Sequence, residues 1–177
     1  MQVKLYKPQN PRLSDYIEYF LFLENQESEG YYKTFPHTNI CLALYKDNSV
    51  LWDRDRNLCT VTNGGAQVTS KLFAFHKQPF QVRYKGKVEQ VCILFTQKGL
   101  SHFTPIPVHA INQQEDPFFE IFGKDSFALY DQLFSTDNKK EQVMLLENFL
   151  IRHFQSLSES KAVYCAILDE IANGNIN

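Results

Sequence analysis

The sequence predicts an α+β protein in which antiparallel strands, closed into a sandwich or a barrel, come first and helices come last. Between Tyr31 and Thr96 short strand-like runs follow one another with turn signals between them. No helical run interrupts them, so no crossover is available to build a parallel sheet. After Thr96 the apolar spacing changes to that of amphipathic helices.

The elements follow in order. "NPRLSDYIEYF" sets Leu13, Ile17 and Phe20 at helical spacing, and "FLFLENQ" then runs into strand composition that ends at "ESEG". "YYKTF" ends at Pro36, "NICLALY" at "KDNS", "VLW" at "DRDRN", and "LCTVT" at "NGG", where Asn63, Gly64 and Gly65 mark a tight turn. "KLFAFH" and "FQVRY" flank "KQP", and Lys85-Gly86 turns the chain into "VEQVCILFT". "VCILF" is apolar at every position, which implies burial on both faces. "QKGLSHFTPIPVHAIN" reads as a short helix broken by Pro105 and Pro107, and "DSFALYDQLF" as helical. In "NKKEQVMLLENFLIRHF" the residues Val143, Leu146, Phe149, Leu150 and Phe154 form one apolar face, flanked by Met144, Leu145 and Ile151. "ESKAVYCAILDEIA" is a further helix carrying Ile167, Leu168 and Ile171.

A chain of 177 residues has room for one domain with a sizeable core. The net charge of −2 gives no electrostatic footprint for nucleic acid. The 15 Phe, 9 Tyr and single Trp suit half-buried sheet faces, or the lining of an apolar cavity if the core is hollow. "MQVKLYKPQN" has no signal-peptide apolar run and no segment has the length of a membrane span, so a cytoplasmic protein without membrane contact is expected. Cys41, Cys59, Cys92 and Cys165 lie far apart with no CxxC pair, as reduced thiols do.

The motifs that carry chemistry are missing from the sequence. His37, His76, His102, His109 and His153 include no pair two apart on a strand and no HExxH, so neither metal nor other cofactor is expected. There is no GxSxG, and Ser101-His102 are merely adjacent, which fixes no nucleophile–base geometry. "NGG" lacks the later glycine and Lys-Ser/Thr of a phosphate loop, and Arg83, Lys85 and Lys87 read as a solvated strand face. No enzyme is expected.

Taken together, these stretches make the chain resemble the N-terminal region of AraC-type bacterial transcription regulators. "LSDYIEYFLFLEN" is similar to that region's opening, "FPHTNICLALYK" to its proline-led second motif, and "VCILFTQKGLSHF" to its strand-to-helix motif. "LLENFLIRHF" resembles the long helix that follows, and "AVYCAILDEIANGNIN" the linker helix leading into a paired helix-turn-helix domain. The tail spacing Ile167, Ile171, Gly174, Ile176 is its most telling part. Thr96-Gln97 and His37-Thr38 depart from the family's usual residues.

The resemblance implies a cupin-like antiparallel β-barrel over 1–136 that senses a signal, a helical dimerisation segment over 137–172, and at 173–177 the entry to a DNA-binding domain otherwise missing from the chain. It implies a ligand-sensing and dimerisation domain that acts by population shift, touches DNA only through that missing domain, and responds to a small-molecule effector of unknown identity. A small cupin-like isomerase or lyase is the alternative, and a pure interaction module with a filled barrel is a third. The ligand candidates are the ring-bearing positions on strands, Phe35, His37, Tyr45, Trp52, Phe75 and Phe95. A homodimer is expected through Leu145, Leu146, Phe149 and Ile151.

Overall fold

The computed structural model describes residues 1–35, 38–53 and 55–155, with the backbone alone at 66–68. His37 and the helix and tail expected after Gln155 lie outside the described residues. Seven strands form one sheet: β1 (Gln2–Tyr6), β2 (Ile17–Asn25), β3 (Glu29–Lys33), β4 (Ile40–Asp53), β5 (Leu58–Phe73), β6 (Gln81–Lys85) and β7 (Val88–Phe95). Their spatial order is β1-β2-β7-β4-β5-β6-β3. Among the described residues, a 3₁₀ turn at Gly99–His102 leads to four helices, α1 (Val108–Ile111), α2 (Pro117–Phe122), α3 (Asp125–Leu133) and α4 (Lys139–His153). The fold is α+β, strands first and helices last, with the sheet curled into a half-barrel.

The curl originates in the β4–β5 hairpin. "KDNS" and "NGG", expected to end strands, lie inside β4 and β5 instead. Pairing runs from Cys41↔Phe73 to Lys46↔Val68 and resumes at Asn48↔Asn63, so Asp47 alone on β4 stands opposite residues 64–67 on β5. Asp47 adopts the left-handed conformation, with φ 51°. A Cβ on Gly65 would lie 2.6 Å from the Asn48 carbonyl carbon and 2.6 Å from the Ser49 nitrogen. Backbone crosses backbone here, and only glycine leaves room. The turn signals are real, but the bulge absorbs them and the ladder continues beyond.

The bend also explains why β6 lies parallel to β5, against the expectation of a purely antiparallel sheet. Laid straight, the 16 residues of β5 would span about 50 Å at roughly 3.3 Å per residue. Gln81 pairs with Leu58 at the far end of that strand. Yet the chain from Phe73 to Gln81 reaches at most about 29 Å even fully extended. The hairpin must therefore fold back, bringing Phe73 within 5.6 Å of Phe80 and 5.4 Å of Trp52, ring centre to ring centre. A curled sheet makes a parallel neighbour without a crossover helix.

Each face of the sheet has its own core. On the outer face Phe20, Phe22, Leu42, Leu44, Ile93 and Phe95 meet the helices through Phe118, Leu133, Leu146 and Phe149. On the concave face Ala43, Tyr45, Cys59, Val61, Tyr84 and Cys92 meet one another. "VCILF" serves both cores and all five residues are buried, as its uninterrupted apolar run implied. Tyr130 of α3 ties the helices to the bend. Its hydroxyl lies against the backbone of both Tyr45 and Thr69, accepting from Tyr45 N at 3.0 Å and reaching Tyr45 O at 2.6 Å.

Helix α4 starts at Asn138, whose side chain accepts from the Lys140 and Glu141 amides. Its first residue, Lys139, is 8% exposed and sits 2.7 Å from Glu24 of β2, over the Phe22 ring. Hydrogen bonding to Lys139 outweighs the opposing effect of burial and holds the Glu24 carboxyl below its ordinary value of 4.5.

Two outcomes follow from this packing. Gly65→Ala should cost about 3 kcal/mol as its methyl overpacks the crossing, and Gly64→Ala, at φ +85° in open space, about 1 kcal/mol. Denaturant melts of the two variants check the order, and equal costs would remove the close approach as the reason for the glycine. A carboxyl with a lowered folded pKa adds stability above its unfolded value and loses it as pH falls through the folded one. Unfolding measured from pH 6 down to pH 3 should therefore show less acid destabilisation in Lys139→Met than in the parent, the difference opening below the ordinary carboxylate value of 4.5.

Candidate functional site

The two halves of the bent hairpin place side chains by parity. Before the bulge, the concave face of β4 takes Cys41, Ala43 and Tyr45; after it, Val50 and Trp52. Asp47, left-handed and unpaired between Lys46 and Asn48, shifts the inward set from odd to even positions, because a one-residue step reverses the facing of every side chain that follows. Leu51 consequently points outward and is exposed. On β5, Lys71 and Phe73 face the concave side, while Leu72 between them packs under the helices.

At the open end of this face lies a groove of about 1010 Å³, at the upper end of the usual range for small-molecule sites. Trp52, Phe73 and Phe80 form one wall, with Trp52 and Phe80 ring centres 4.5 Å apart. His76 stands 4.8 Å from the Phe80 ring, with its Nε2 3.3 Å from the Thr34 hydroxyl. Asn112, Gln113 and Gln114 also line it. Lys71 reaches across from β5, its ammonium 3.5 Å from the Glu115 carbonyl oxygen.

Deeper in the half-barrel the space is filled. The Tyr84 hydroxyl donates to Gln90 Oε1 at 2.8 Å, and Gln90 Nε2 donates to Cys92 Sγ at 2.9 Å. Burial pushes the Tyr32, Tyr45 and Tyr84 hydroxyls up, and the Cys59 thiol up to about 12. Hydrogen bonding to Cys92, then burial, raises Cys41. These thiols hold their protons at neutral pH and supply no thiolate nucleophile. Among the described residues, no three of His, Cys, Asp and Glu converge as a metal would require.

The ligand candidates read from the sequence separate into three environments. Trp52 and Phe75 line the groove together, and Phe75 is exposed. Tyr45 is buried in the filled interior and Phe95 in the core beneath the helices, on the other side of the sheet. Phe35 is 75% exposed and not part of the groove lining, and His37 lies outside the described residues. Lys71, Phe73, His76, Phe80 and the amides at 112–114 are groove residues that the sequence reading missed. The i, i+2 pair of Lys71 and Phe73 was the available signal, a lysine alternating with apolar residues on a strand.

The dimer candidates divide in the same way. Leu146 and Phe149 are fully used by the chain's own core, and Leu145 and Ile151 are half-buried against it. Met144, 56% exposed, is the most open apolar residue on α4. No described helix is long and apolar enough to cross a membrane.

Fold and groove define the class: an α+β protein whose curled sheet carries helices on its outer face and an aromatic groove at its open end. The family model described as "Domain of unknown function (DUF6597)" matches residues 4–117, and the chain belongs to that family. The match runs from β1 to the first residue of α2 and takes in every strand and the whole groove lining. Curated proteins and solved structures give no match.

The packing of the three sulfurs has a measurable consequence. In a Cys165→Ser background, Cys41, Cys59 and Cys92 should react negligibly with a chromogenic disulfide reagent at pH 8 over several minutes, and all should react once denaturant is added. Prompt labelling of the native protein would show a thiol more open and more acidic than this packing allows.

Proposed function

We propose that this chain is the ligand-sensing and dimerisation domain of an AraC-type transcription regulator, cupin-like in its sheet and cytoplasmic in location. The observation that carries the reading is the groove. It has the volume of an effector site, an aromatic wall, and a ring of amides able to orient a small molecule. The motifs from Leu13 to Asn177 that resemble such regulators support the same reading. In this scheme a helix-turn-helix domain reads DNA, and the present chain sets how two such domains are presented.

The mechanism is a population shift. An effector that binds one arrangement of sheet and helices better than another can move the equilibrium only by that difference in affinity. The connection available to carry it is physical. Lys71 and Phe73 of the groove alternate along β5 with Ser70 and Leu72. Ser70 donates to the Asp116 carboxylate and accepts from the Phe118 amide, both at the start of α2. A change at the groove wall therefore meets the helical layer within one residue of strand.

The test uses residues 1–177 joined to a DNA-binding domain that represses only as a dimer, with transcription from its operator as the readout. Repression, with a sedimentation mass twice that of one fusion polypeptide, is the expected result. Leu145→Glu and Met144→Glu should weaken both. A monomeric, non-repressing fusion that is folded by circular dichroism would overturn the dimerisation role.

A further inference from the structure

We infer that the groove takes a small, flat monoanion, an aromatic carboxylate being the simplest case, with the carboxylate on Lys71 and the ring against Trp52, Phe73 and Phe80. The inference rests on the groove being the effector site. It starts from where the charges lie.

Lys71 is half-buried on the concave wall, and no carboxylate lies within ion-pair distance of it among the described residues. Its hydrogen-bond acceptor is the Glu115 carbonyl oxygen at the long distance of 3.5 Å. Two other partly or fully buried lysines differ: Lys139 meets Glu24 at 2.7 Å, and Lys46 meets Glu89 at 3.5 Å. A partly exposed lysine that lines a groove with no carboxylate partner among the described residues is a ready partner for a bound anion.

Three carboxylates also line the groove, and their placement decides the sign. Asp53 is occupied within its own turn, accepting from the Arg56 amide at 3.1 Å and pairing with the Arg56 side chain at 3.5 Å. Asp55 and Glu115 are exposed at the rim, where water and salt screen them. Of the Lys, Asp and Glu side chains in the lining, Lys71 is thus the partly buried one that stands outside an ion pair among the described residues. The exposed acids oppose a second negative charge, so a monoanion fits better than a dianion.

Size follows from the strand. Lys71 and Phe73 project from the same face two residues apart, about 7 Å along β5. A single ring bearing a carboxylate spans that interval, with the ring reaching the Phe73–Trp52 wall and the oxygens reaching the ammonium. Phe73 and Phe80 lie 18° between planes, while Trp52 is tilted 47° from Phe73 and 63° from Phe80, so the wall offers a bound ring both face and edge contacts.

Trp52 is the single tryptophan of the chain and stands in the wall, so its fluorescence reports on the groove alone. The full chain is titrated with phenylacetate, phenylacetamide and phenethylamine, which share a ring and differ in charge. Saturable quenching by phenylacetate is expected, with the amide and the amine requiring at least about tenfold higher concentration, the worth of one charge-assisted contact. Lys71→Met should erase that preference, and Lys71→Arg should keep it. Equal affinity for acid and amide, tightest binding by the amine, or an unchanged preference in Lys71→Met overturns the anion assignment and leaves the groove standing as a small-molecule site. No saturation by any of the three, in a chain folded by circular dichroism, overturns both.

Discussion

At the centre of the fold the backbone of β5 crosses that of β4 so closely at Gly65 that no side chain fits between them. This contact lets a hairpin of 14- and 16-residue strands bend instead of extending as a flat ribbon. The bend places the end of β5 beside its own beginning and makes room for β6 in parallel register. It also reverses the facing of β4, which turns Trp52 inward and Leu51 outward. Without the left-handed, unpaired residue at Asp47, the aromatic wall of the groove would lose its tryptophan to solvent.

The two faces of the sheet then divide the work. The outer face is closed by helices whose rings interlock, with Phe118, Phe122 and Phe149 in mutual contact at 4.9 to 5.8 Å. That layer buries the apolar surface needed for stability. The inner face cannot be closed in the same way, because a half-barrel has an open end. Its depth is filled by Tyr45, Tyr84, Gln90 and Cys92, while its mouth is left as a groove. A family model that spans the strands and the groove lining but stops at α2 is consistent with the curled sheet being the shared unit.

The site was only partly legible in the sequence. Trp52 and Phe75 could be singled out as rings on a strand and at its end, and they do share the groove. Phe95 satisfied the same description and lies on the outer face, and Tyr45 lies in the filled depth of the concave one, because ring identity says nothing about the face a strand residue takes or its depth. Lys71 was passed over since a lone lysine on a strand usually points to water. Its significance depends on which carboxylates fail to reach it, and that is a relation among residues far apart in the chain. The same limit applies to α4. Its broad apolar stripe suggested a second surface, yet Leu146 and Phe149 are spent on the chain's own core.

What the sequence by itself determined is the alternation of apolar and polar residues, the burial of "VCILF" on both faces, the order of strands before helices, and the glycines at which the backbone can do unusual things. These are local properties, fixed by side-chain period and by the conformational freedom of single residues. Only the tertiary structure decided that "KDNS" and "NGG" bend one long hairpin instead of ending four short strands. It alone set β6 beside β5, and left Lys71 half-buried in a groove with three rings and, among the described residues, no carboxylate partner. Each of these depends on how the two arms of the hairpin meet, and the chain can specify that meeting only once both cores have formed around it.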